Sequence, residues 1–139
     1  MPAAQHHFGV YARIRDGDRI LLVHKVRGPY TGLLDLPGGT PEPGESWPQT
    51  LQRELHEELG LVLPVTSEFK PFSIHVHHSS TGEPIDFHHR GVFQDLPRLP
   101  SVCRPGPSAD TGGAEWFNLH SGNRTRLSAA VAEVLTLAG

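Results

Sequence analysis

The sequence predicts an α/β or α+β fold in which an antiparallel or mixed sheet lies between helices. Short apolar, β-branched runs recur along the chain and are bounded by turn residues, which is the pattern of strands. A well-bounded helix at residues 46–60 interrupts these strands, and a second helical pattern closes the chain. Strands and helices in this order pack as layers around a sheet. The 139 residues fit one domain, 1–139.

The chain is predicted to begin with a hairpin and a third short strand. Residues 8–15 (FGVYARIR) and 19–26 (RILLVHKV) are apolar runs that flank the turn DGD, which is a hairpin signal. Residues 33–37 (LLDLP) are typical of a short strand. The glycine-rich segment 38–45 (GGTPEPGE) then predicts a loop that leads into the helix.

The first helix has clear boundaries and an apolar face. Ser46 with Gln49 three residues later forms the pattern of a capping box, and Gly60 predicts the helix end. Apolar residues recur every four positions and are expected to face the core. They are Trp47, Leu51, Leu55 and Leu59.

The second half of the chain predicts another hairpin, a loop, a strand and a helix. Residues 72–78 (FSIHVHH) and 84–93 (PIDFHHRGVF) flank the turn SSTGE. The segment 95–113 contains four prolines and little periodicity, which predicts a loop, and 114–119 (AEWFNL) predicts a strand. The tail 126–139 predicts the closing helix. Its inward-facing residues are expected to be Leu127, Val131, Val134 and Leu135.

Three carboxylates lie on one face of the first helix. Glu54, Glu57 and Glu58 are spaced so that their side chains reach one another, and each like-charged pair costs about 0.2–0.5 kcal/mol in an isolated helix. Carboxylates are ligands for hard cations, and Mg²⁺ or Mn²⁺ would offset the repulsion. A solvated acidic face is the alternative. The glycines of the preceding loop permit close approach of the backbone to a metal or phosphate, which favours the cation.

The segment 39–61 resembles the Nudix box at every fixed position. Those positions are Gly39, Glu45, Arg53, Glu54, Leu55, Glu57, Glu58, Gly60 and Leu61. The resemblance implies a Nudix-like α/β/α sandwich with a mixed, largely antiparallel sheet between helices. It also implies a MutT-like, divalent-metal-dependent pyrophosphohydrolase that cleaves a phosphoanhydride bond in a nucleoside diphosphate linked to another moiety. Cations that neutralise phosphate charge and a base that activates water are what this reaction needs.

The resemblance also implies roles for the residues of the box. Glu57 and Glu58 correspond to metal ligands, joined by Glu54 and the backbone carbonyl of Gly38, and the cofactor implied is Mg²⁺ or Mn²⁺. Glu54 or another of these glutamates acts as the base. Arg53 and Glu45 correspond to a pair that spans the loop and holds the carboxylates in place. An ordinary surface ion pair is the alternative interpretation.

Candidate residues outside the box are less sharply defined. Several family members use a further acidic residue from a loop before the last strand, and Asp110 is the first choice for it, with Glu115 second. A polar turn aspartate is the alternative. In the loop after the second strand, Lys25 and Arg27 are candidates for binding phosphate, and Tyr30 for stacking on a base or sugar. A turn with exposed charges would explain the same residues.

Ten histidines stand out in the composition, and five of them fall in the second hairpin. They are His75, His77, His78, His88 and His89. Polar and apolar residues alternate there, so each strand has one polar face. A solvated or pocket-lining sheet face is the favoured interpretation, and a zinc site is the alternative, although no recognised ligand spacing is present.

Composition limits the partners. The net charge of −3 and twelve scattered basic residues predict a small nucleotide rather than a nucleic acid polymer. No apolar stretch is long enough to span a bilayer, and a single cysteine, Cys103, suits a reducing, cytoplasmic location. Monomer and homodimer both remain open, as does the particular nucleotide. The alternative function is a catalytically silent Nudix-like nucleotide-binding or sensor module. A structural calcium protein lacks support because no EF-hand loop is present.

Overall fold

A computed structural model describes residues 2–96 and 111–138. Within these residues the chain forms seven strands and two α-helices. The strands are β1 (Ala4–Asp16), β2 (Arg19–Lys25), β3 (Leu34–Asp35), β4 (Gly38–Gly39), β5 (Lys70–His78), β6 (Pro84–Leu96) and β7 (Thr111–Asn118). The helices are α1 (Trp47–Leu59) and α2 (Ala129–Thr136). Across the described ranges, neither helix is long and apolar enough to cross a membrane.

The strands form one mixed sheet with the order β3-β2-β1-β6-β5, to which β4 adds at β1 and β7 at β2. Both predicted hairpins are present as antiparallel pairs, β1 with β2 and β5 with β6. The parallel pair is β1 with β6, in register from Ala4 with Asp86 to Ile14 with Leu96. The expected mixed, largely antiparallel sheet between helices is therefore confirmed.

The sheet separates two hydrophobic clusters, one under each helix. Alternation along β1 sends Val10, Ala12 and Ile14 into the cluster that contains the apolar face of α1. Tyr11 points the other way, into the cluster that contains α2. A helix covers each face, which is the sandwich arrangement.

Helix α1 begins and ends where the sequence predicts. The Ser46 hydroxyl accepts the backbone N–H of Gln49, and the Gln49 side chain accepts the backbone N–H of Ser46 at 2.9 Å, which closes the capping box. Gly60 ends the helix with φ of 67°, a left-handed conformation that glycine adopts without steric cost. These two caps fix which side chains of α1 face the sheet.

Three sequence expectations about packing need correction. Trp47, the first residue of α1, is 44% exposed because its ring contacts are with Phe8 and Phe69, which are themselves only partly buried beside the cluster under α1. Leu127 is buried as expected but lies before α2, in an extended segment that bridges to β3. A loop was expected at 95–113, but β6 continues through Leu96 and β7 starts at Thr111; residues 97–110 lie outside the described residues.

A buried arginine ties the sheet to the C-terminal end of α2. Arg13 is 0% exposed, and its guanidinium donates to both carboxylate oxygens of Asp95, at 2.6 and 2.8 Å. It also donates to the backbone carbonyls of Val134 and Leu137, each at 2.8 Å, and of Ala138 at 3.2 Å. The Val134 carbonyl also accepts the backbone N–H of Leu137 at 3.1 Å, and the Ala138 carbonyl also accepts from the Lys70 ammonium at 2.8 Å. Arg13 adds charged donors to the carbonyl end of α2 and so caps the helix from the sheet.

His89 forms a second buried polar centre. Its Nε2 lies 2.9 Å from the Tyr11 hydroxyl and its Nδ1 lies 2.8 Å from the Tyr30 hydroxyl. Burial lowers the pKa of His89 to about 3, so the ring is neutral and one nitrogen accepts while the other donates. Burial also raises the pKa of both tyrosines, which keeps their hydroxyl groups protonated. All three polar groups are thus satisfied within the core.

This centre predicts a loss of stability in mild acid. Because the pKa of His89 is about 3 in the folded chain and 6.5 in its ordinary state, the unfolded chain binds more protons between these values. The free energy of unfolding therefore falls as the pH is lowered from 7 to 5, by about 2 kcal/mol from this group. Urea denaturation at the two pH values checks it. The loss should shrink in His89→Gln and persist in His56→Gln, an exposed histidine; equal losses in all three proteins would contradict it.

Candidate active site

A cavity of about 350 Å³ opens where β1, the start of the loop after β2, and the β3–β4 segment meet α1. Its size suits a small ligand. Five carboxyl groups, three basic side chains and a histidine contribute to its walls. The lining residues are His7, Tyr11, Lys25, Arg27, Asp35, Leu36, Gly38, Gly39, Thr40, Glu42, Arg53, Glu54, Glu57 and Glu58.

Arg53 connects the loop to the acidic face of α1. Its guanidinium forms a two-point contact with Glu45, from Nε to Oε2 at 2.6 Å and from Nη2 to Oε1 at 3.0 Å. Nη1 donates to Glu54 Oε1 at 3.0 Å and reaches Glu57 Oε2 at 3.3 Å. Nη2 also donates to the Thr40 carbonyl at 3.1 Å. The pairing with Glu45 is the one that the box resemblance implies, and the planar guanidinium is what permits so many simultaneous contacts.

Glu45 is held as a carboxylate. Hydrogen bonds from Arg53 lower its pKa to about 2, assisted by the backbone N–H of Glu42 at 2.8 Å and the Thr50 hydroxyl at 3.0 Å. The same hydrogen bonds raise the pKa of Arg53, so the pair is ionised at every working pH. Glu45 therefore orients Arg53, which in turn fixes the carboxylates of α1.

Glu58 is the buried member of the acidic face. It is 6% exposed, and its Oε1 accepts the backbone N–H of Gly38 at 2.7 Å. Burial raises the pKa of Glu58 well above its ordinary value, and the charge of Glu54 raises it further, while the Gly38 N–H and Lys25 act in the opposite direction. A buried carboxyl group in this state gains most from a positive charge placed beside it.

The residues present fit a divalent cation. Glu54, Glu57 and Glu58 share one wall of the cavity, and they supply the hard oxygen donors that Mg²⁺ and Mn²⁺ prefer. Burial raises the pKa of Glu58, and the charges of Glu54 and Asp35 beside it raise the pKa further. A cation there would restore the ionised form of Glu58.

The two glycines of β4 allow the backbone to approach these carboxylates. Gly38 has φ of 141°, which side chains rarely adopt, and a Cβ there would clash with the Val10 carbonyl. A Cβ on Gly39 would lie 2.6 Å from Oε1 of Glu54. The short strand β4, which the sequence expectation treated as loop, thus sets the positions of Glu54 and Glu58.

Gly39→Ala should lower turnover at least tenfold with little change in thermal stability. The new methyl group must push the flexible Glu54 carboxylate aside, whereas the backbone conformation of Gly39 itself is an ordinary one. Steady-state kinetics and thermal unfolding check this expectation. If the effect passes through Glu54, the double variant Gly39→Ala/Glu54→Gln should be no slower than Glu54→Gln alone. A further, multiplicative loss in the double variant would contradict that route.

The candidate residues outside the box fall in three different places. Lys25 and Arg27 line the cavity, as the phosphate-binding hypothesis requires. Tyr30 does not present its ring to the cavity: it is 5% exposed and hydrogen-bonded to His89, so the expectation that it stacks on substrate is wrong for this structure. Tyr30 lies within the turn-rich segment between β2 and β3, where the sequence gives no sign that its side chain is buried. Glu115 is paired with His24 at 2.9 Å and with Arg126, outside the cavity lining.

Asp110 lies outside the described residues. Its candidacy as an additional metal ligand therefore stays a prediction. Turnover of Asp110→Ala and Glu115→Ala under the same conditions is the comparison that distinguishes the two acids.

Six residues of the cavity lining were not among the candidates from the sequence. They are His7, Tyr11, Asp35, Leu36, Thr40 and Glu42. Asp35 is 3% exposed, and burial raises its pKa. The Ser128 hydroxyl donates to Asp35 Oδ1 at 2.8 Å, and this hydrogen bond and the charge of Lys25 lower the pKa in turn. The sequence did indicate Asp35, because a single carboxyl group between leucines in the segment LLDLP is expected to be buried and therefore to need a partner. His7 and Tyr11 carry no such local signal, because the pairing of β1 with distant strands places them.

A family model of the NUDIX domain matches residues 5–137. The chain belongs to the NUDIX family, which confirms the resemblance of the segment 39–61 to the box. The family and the observed layers also confirm the fold class.

Individual relatives differ in how much they cover. An ADP-ribose pyrophosphatase from Methanocaldococcus jannaschii is 39% identical over 54 residues, which are 39% of this chain and 32% of that protein. The structure of a MutT NUDIX hydrolase from Burkholderia pseudomallei superposes with a TM-score of 0.71 at 24% identity, covering 97% of this chain and 99% of that one. A bifunctional NMN adenylyltransferase/ADP ribose pyrophosphatase from Francisella tularensis, complexed with AMP and a Mn ion, has a TM-score of 0.69 at 23% identity. The match covers 98% of this chain and 42% of that one, so the chain spans less than half of the Francisella protein.

Proposed function

We propose that this protein is a Nudix hydrolase, a divalent-metal-dependent pyrophosphohydrolase that cleaves a phosphoanhydride bond in a nucleoside diphosphate linked to another moiety. The observation that carries the proposal is the shared wall of Glu54, Glu57 and Glu58 in a cavity that also holds Lys25 and Arg27. Carboxylates alone would repel a diphosphate, and basic side chains alone would neither hold a metal ion nor accept the proton of the attacking water. The cavity combines anionic and cationic groups, as phosphoanhydride hydrolysis requires.

The basic side chains are suited to bind the substrate phosphates. Arg27 is exposed at the cavity mouth and Lys25 is half-buried within it. A guanidinium can contact two phosphate oxygens at once, whereas an ammonium acts as a point charge. Arg53 is engaged by Glu45 and Glu54, so its role is to position carboxylates rather than to bind phosphate.

Glu54, Glu57 and Glu58, with the Gly38 carbonyl, are the groups that would hold the cation. When bound, Mg²⁺ or Mn²⁺ neutralises phosphate charge and promotes the ionisation of water. The proton of the attacking water goes to a carboxylate of the same wall, Glu54 or one of its neighbours. Glu58 is buried and fixed by the Gly38 N–H, which suits a metal ligand, and the half-exposed Glu57 can adjust its side chain to the same ion.

The proposed substrate class follows from membership of the family, and the particular nucleotide has to be identified by experiment. The local match to an ADP-ribose pyrophosphatase makes ADP-ribose a natural first compound, although it spans only part of either protein. A small nucleotide as the partner and a cytoplasmic location also belong to this proposal.

A substrate screen tests the proposed reaction. The purified protein is incubated with ADP-ribose, NADH, coenzyme A, a dinucleoside polyphosphate and the nucleoside triphosphates, each with Mg²⁺, Mn²⁺ or a chelator, and the products are separated by ion-exchange chromatography. We expect cleavage between two phosphorus atoms of at least one compound, and none with chelator. Nucleotide binding without any turnover would instead support the catalytically silent binding or sensor module.

A further inference from the structure

A cluster of histidines lies on the sheet, away from the cavity. Strand pairing places His88 of β6 between His6 of β1 and His75 of β5, because these three residues are register partners. Asp86 precedes His88 by two positions and so shares its face of β6. The register of the β5–β6 hairpin thus brings His75 beside Asp86 and His88, and the pairing of β1 with β6 adds His6 from a distant part of the sequence.

The side chains of this cluster converge on one carboxylate. Nε2 of His75 lies 2.5 Å from Oδ1 of Asp86, and Nε2 of His88 lies 3.0 Å from the same oxygen. One ligand atom from each residue lies within 4.8 Å of the others. Four-coordinate zinc with bonds of about 2.0–2.2 Å holds neighbouring ligand atoms about 3.3 Å apart. Side-chain rotations that move each ligand atom by less than about 1 Å would therefore accommodate the ion.

Further imidazole rings surround the three residues. The His75 and His88 rings stack at 4.0 Å between centroids, His6 stacks on His88 at 4.7 Å, and His77 lies 4.2 Å from His75. Stacked rings hold the orientation of the two nitrogen donors before any ion arrives. His6, His77 or water can complete the coordination.

The donor chemistry differs from that of the cavity. Two imidazoles and one carboxylate suit Zn²⁺ and similar borderline cations, whereas Mg²⁺ prefers oxygen donors alone. None of the three residues lines the cavity, and their side chains are 35–43% exposed, so the cluster is accessible to ions from solvent. Excess Mg²⁺ should therefore fill the glutamate wall and leave this cluster free.

We propose that His75, Asp86 and His88 form a second metal site, which binds one Zn²⁺ per chain and joins β5 to β6. The site is independent of the proposed hydrolase function. Bound zinc would cross-link the edge strand of the sheet and stabilise the folded chain by mass action.

Calorimetric titration of the full chain with Zn²⁺, in a large excess of Mg²⁺, tests this site. We expect one Zn²⁺ per chain, with at least tenfold weaker binding in each of the variants His75→Gln, His88→Gln and Asp86→Asn. The matched control is His120→Gln, because His120 also faces a carboxylate, Asp18, at 3.1 Å, but the described residues place no third metal-ligating side chain with this pair. This control should bind zinc like the wild type.

Thermal unfolding provides a second readout. Zn²⁺ should raise the melting temperature of the wild type and of His120→Gln, and this increase should be lost in the three site variants. Without metal, the melting temperatures of the site variants should stay near that of the wild type, because the substituted side chains are partly exposed. Absence of zinc binding by the wild type at 100 µM Zn²⁺, or the same affinity in the site variants as in His120→Gln, would overturn the proposal.

Discussion

Glu57→Gln should abolish detectable turnover and leave the fold intact. Glu57 is half-exposed, and its contact with Arg53 at 3.3 Å is a weak one, so the folded chain loses little when the charge is removed. Loss of like-charge repulsion on α1 would offset part of that cost, by about 0.2–0.5 kcal/mol per pair. Turnover suffers because a neutral amide is a poor ligand for a divalent cation.

The measurement for Glu57→Gln is turnover of the substrate that the screen identifies, together with urea denaturation. Glu68→Gln is the control, since Glu68 is an exposed glutamate outside the cavity lining. It should match the wild type in both. If Glu57→Gln retains more than about a tenth of the activity, a barrier increase below about 1.4 kcal/mol, the assignment of Glu57 fails.

Arg13→Ala should be the most destabilising of the substitutions considered, by about 3–5 kcal/mol. The substitution leaves the Asp95 carboxylate without its main partner and removes the donors for the carbonyls at the end of α2. Hydrogen bonds from Arg13 hold the pKa of Asp95 below its usual value, so this stabilisation of the ionised carboxylate is lost with the arginine. The guanidinium also lies 4.8 Å from the centroid of the Phe93 ring, and that contact is lost too.

Arg15 provides the matched control for Arg13. It approaches the same carboxylate, with Nη2 3.6 Å from Asp95 Oδ1, but its side chain is 41% exposed. Arg15→Ala should cost less than about 1 kcal/mol. Urea denaturation of both variants checks the difference, and a loss below about 1 kcal/mol for Arg13→Ala would contradict the capping role.

Local sequence signals predicted α1 well because its boundaries depend on neighbours in the chain. Ser46, Gln49 and Gly60 each act within one helical turn, and their side chains or dihedral angles do what their types favour. The hairpins were predicted for the same reason. The parallel pairing of β1 with β6 was not, since it joins residues about 80 positions apart and depends on the whole sheet.

The candidate site shows the same contrast between contacts that are local in the sequence and contacts that depend on the pairing of distant strands. The box predicted the contact of Arg53 with Glu45, because both residues belong to one loop and helix. Tyr30 was misinterpreted because an aromatic residue near two cations is equally typical of a binding loop and of a buried turn, and only the position of His89 distinguishes them. Asp35 and Tyr11 reach the cavity through strand pairing, which no spacing in the sequence reports.

Phosphorus NMR of the reaction in ¹⁸O-labelled water tests the central claim most directly. With Mg²⁺ and the substrate from the screen, we expect that a phosphoanhydride bond breaks and that the ¹⁸O shift appears on one phosphate product, as attack of water on phosphorus requires. Glu57→Gln should show neither change. Intact substrate after prolonged incubation with the wild type, or cleavage that places no ¹⁸O on phosphorus, would contradict it.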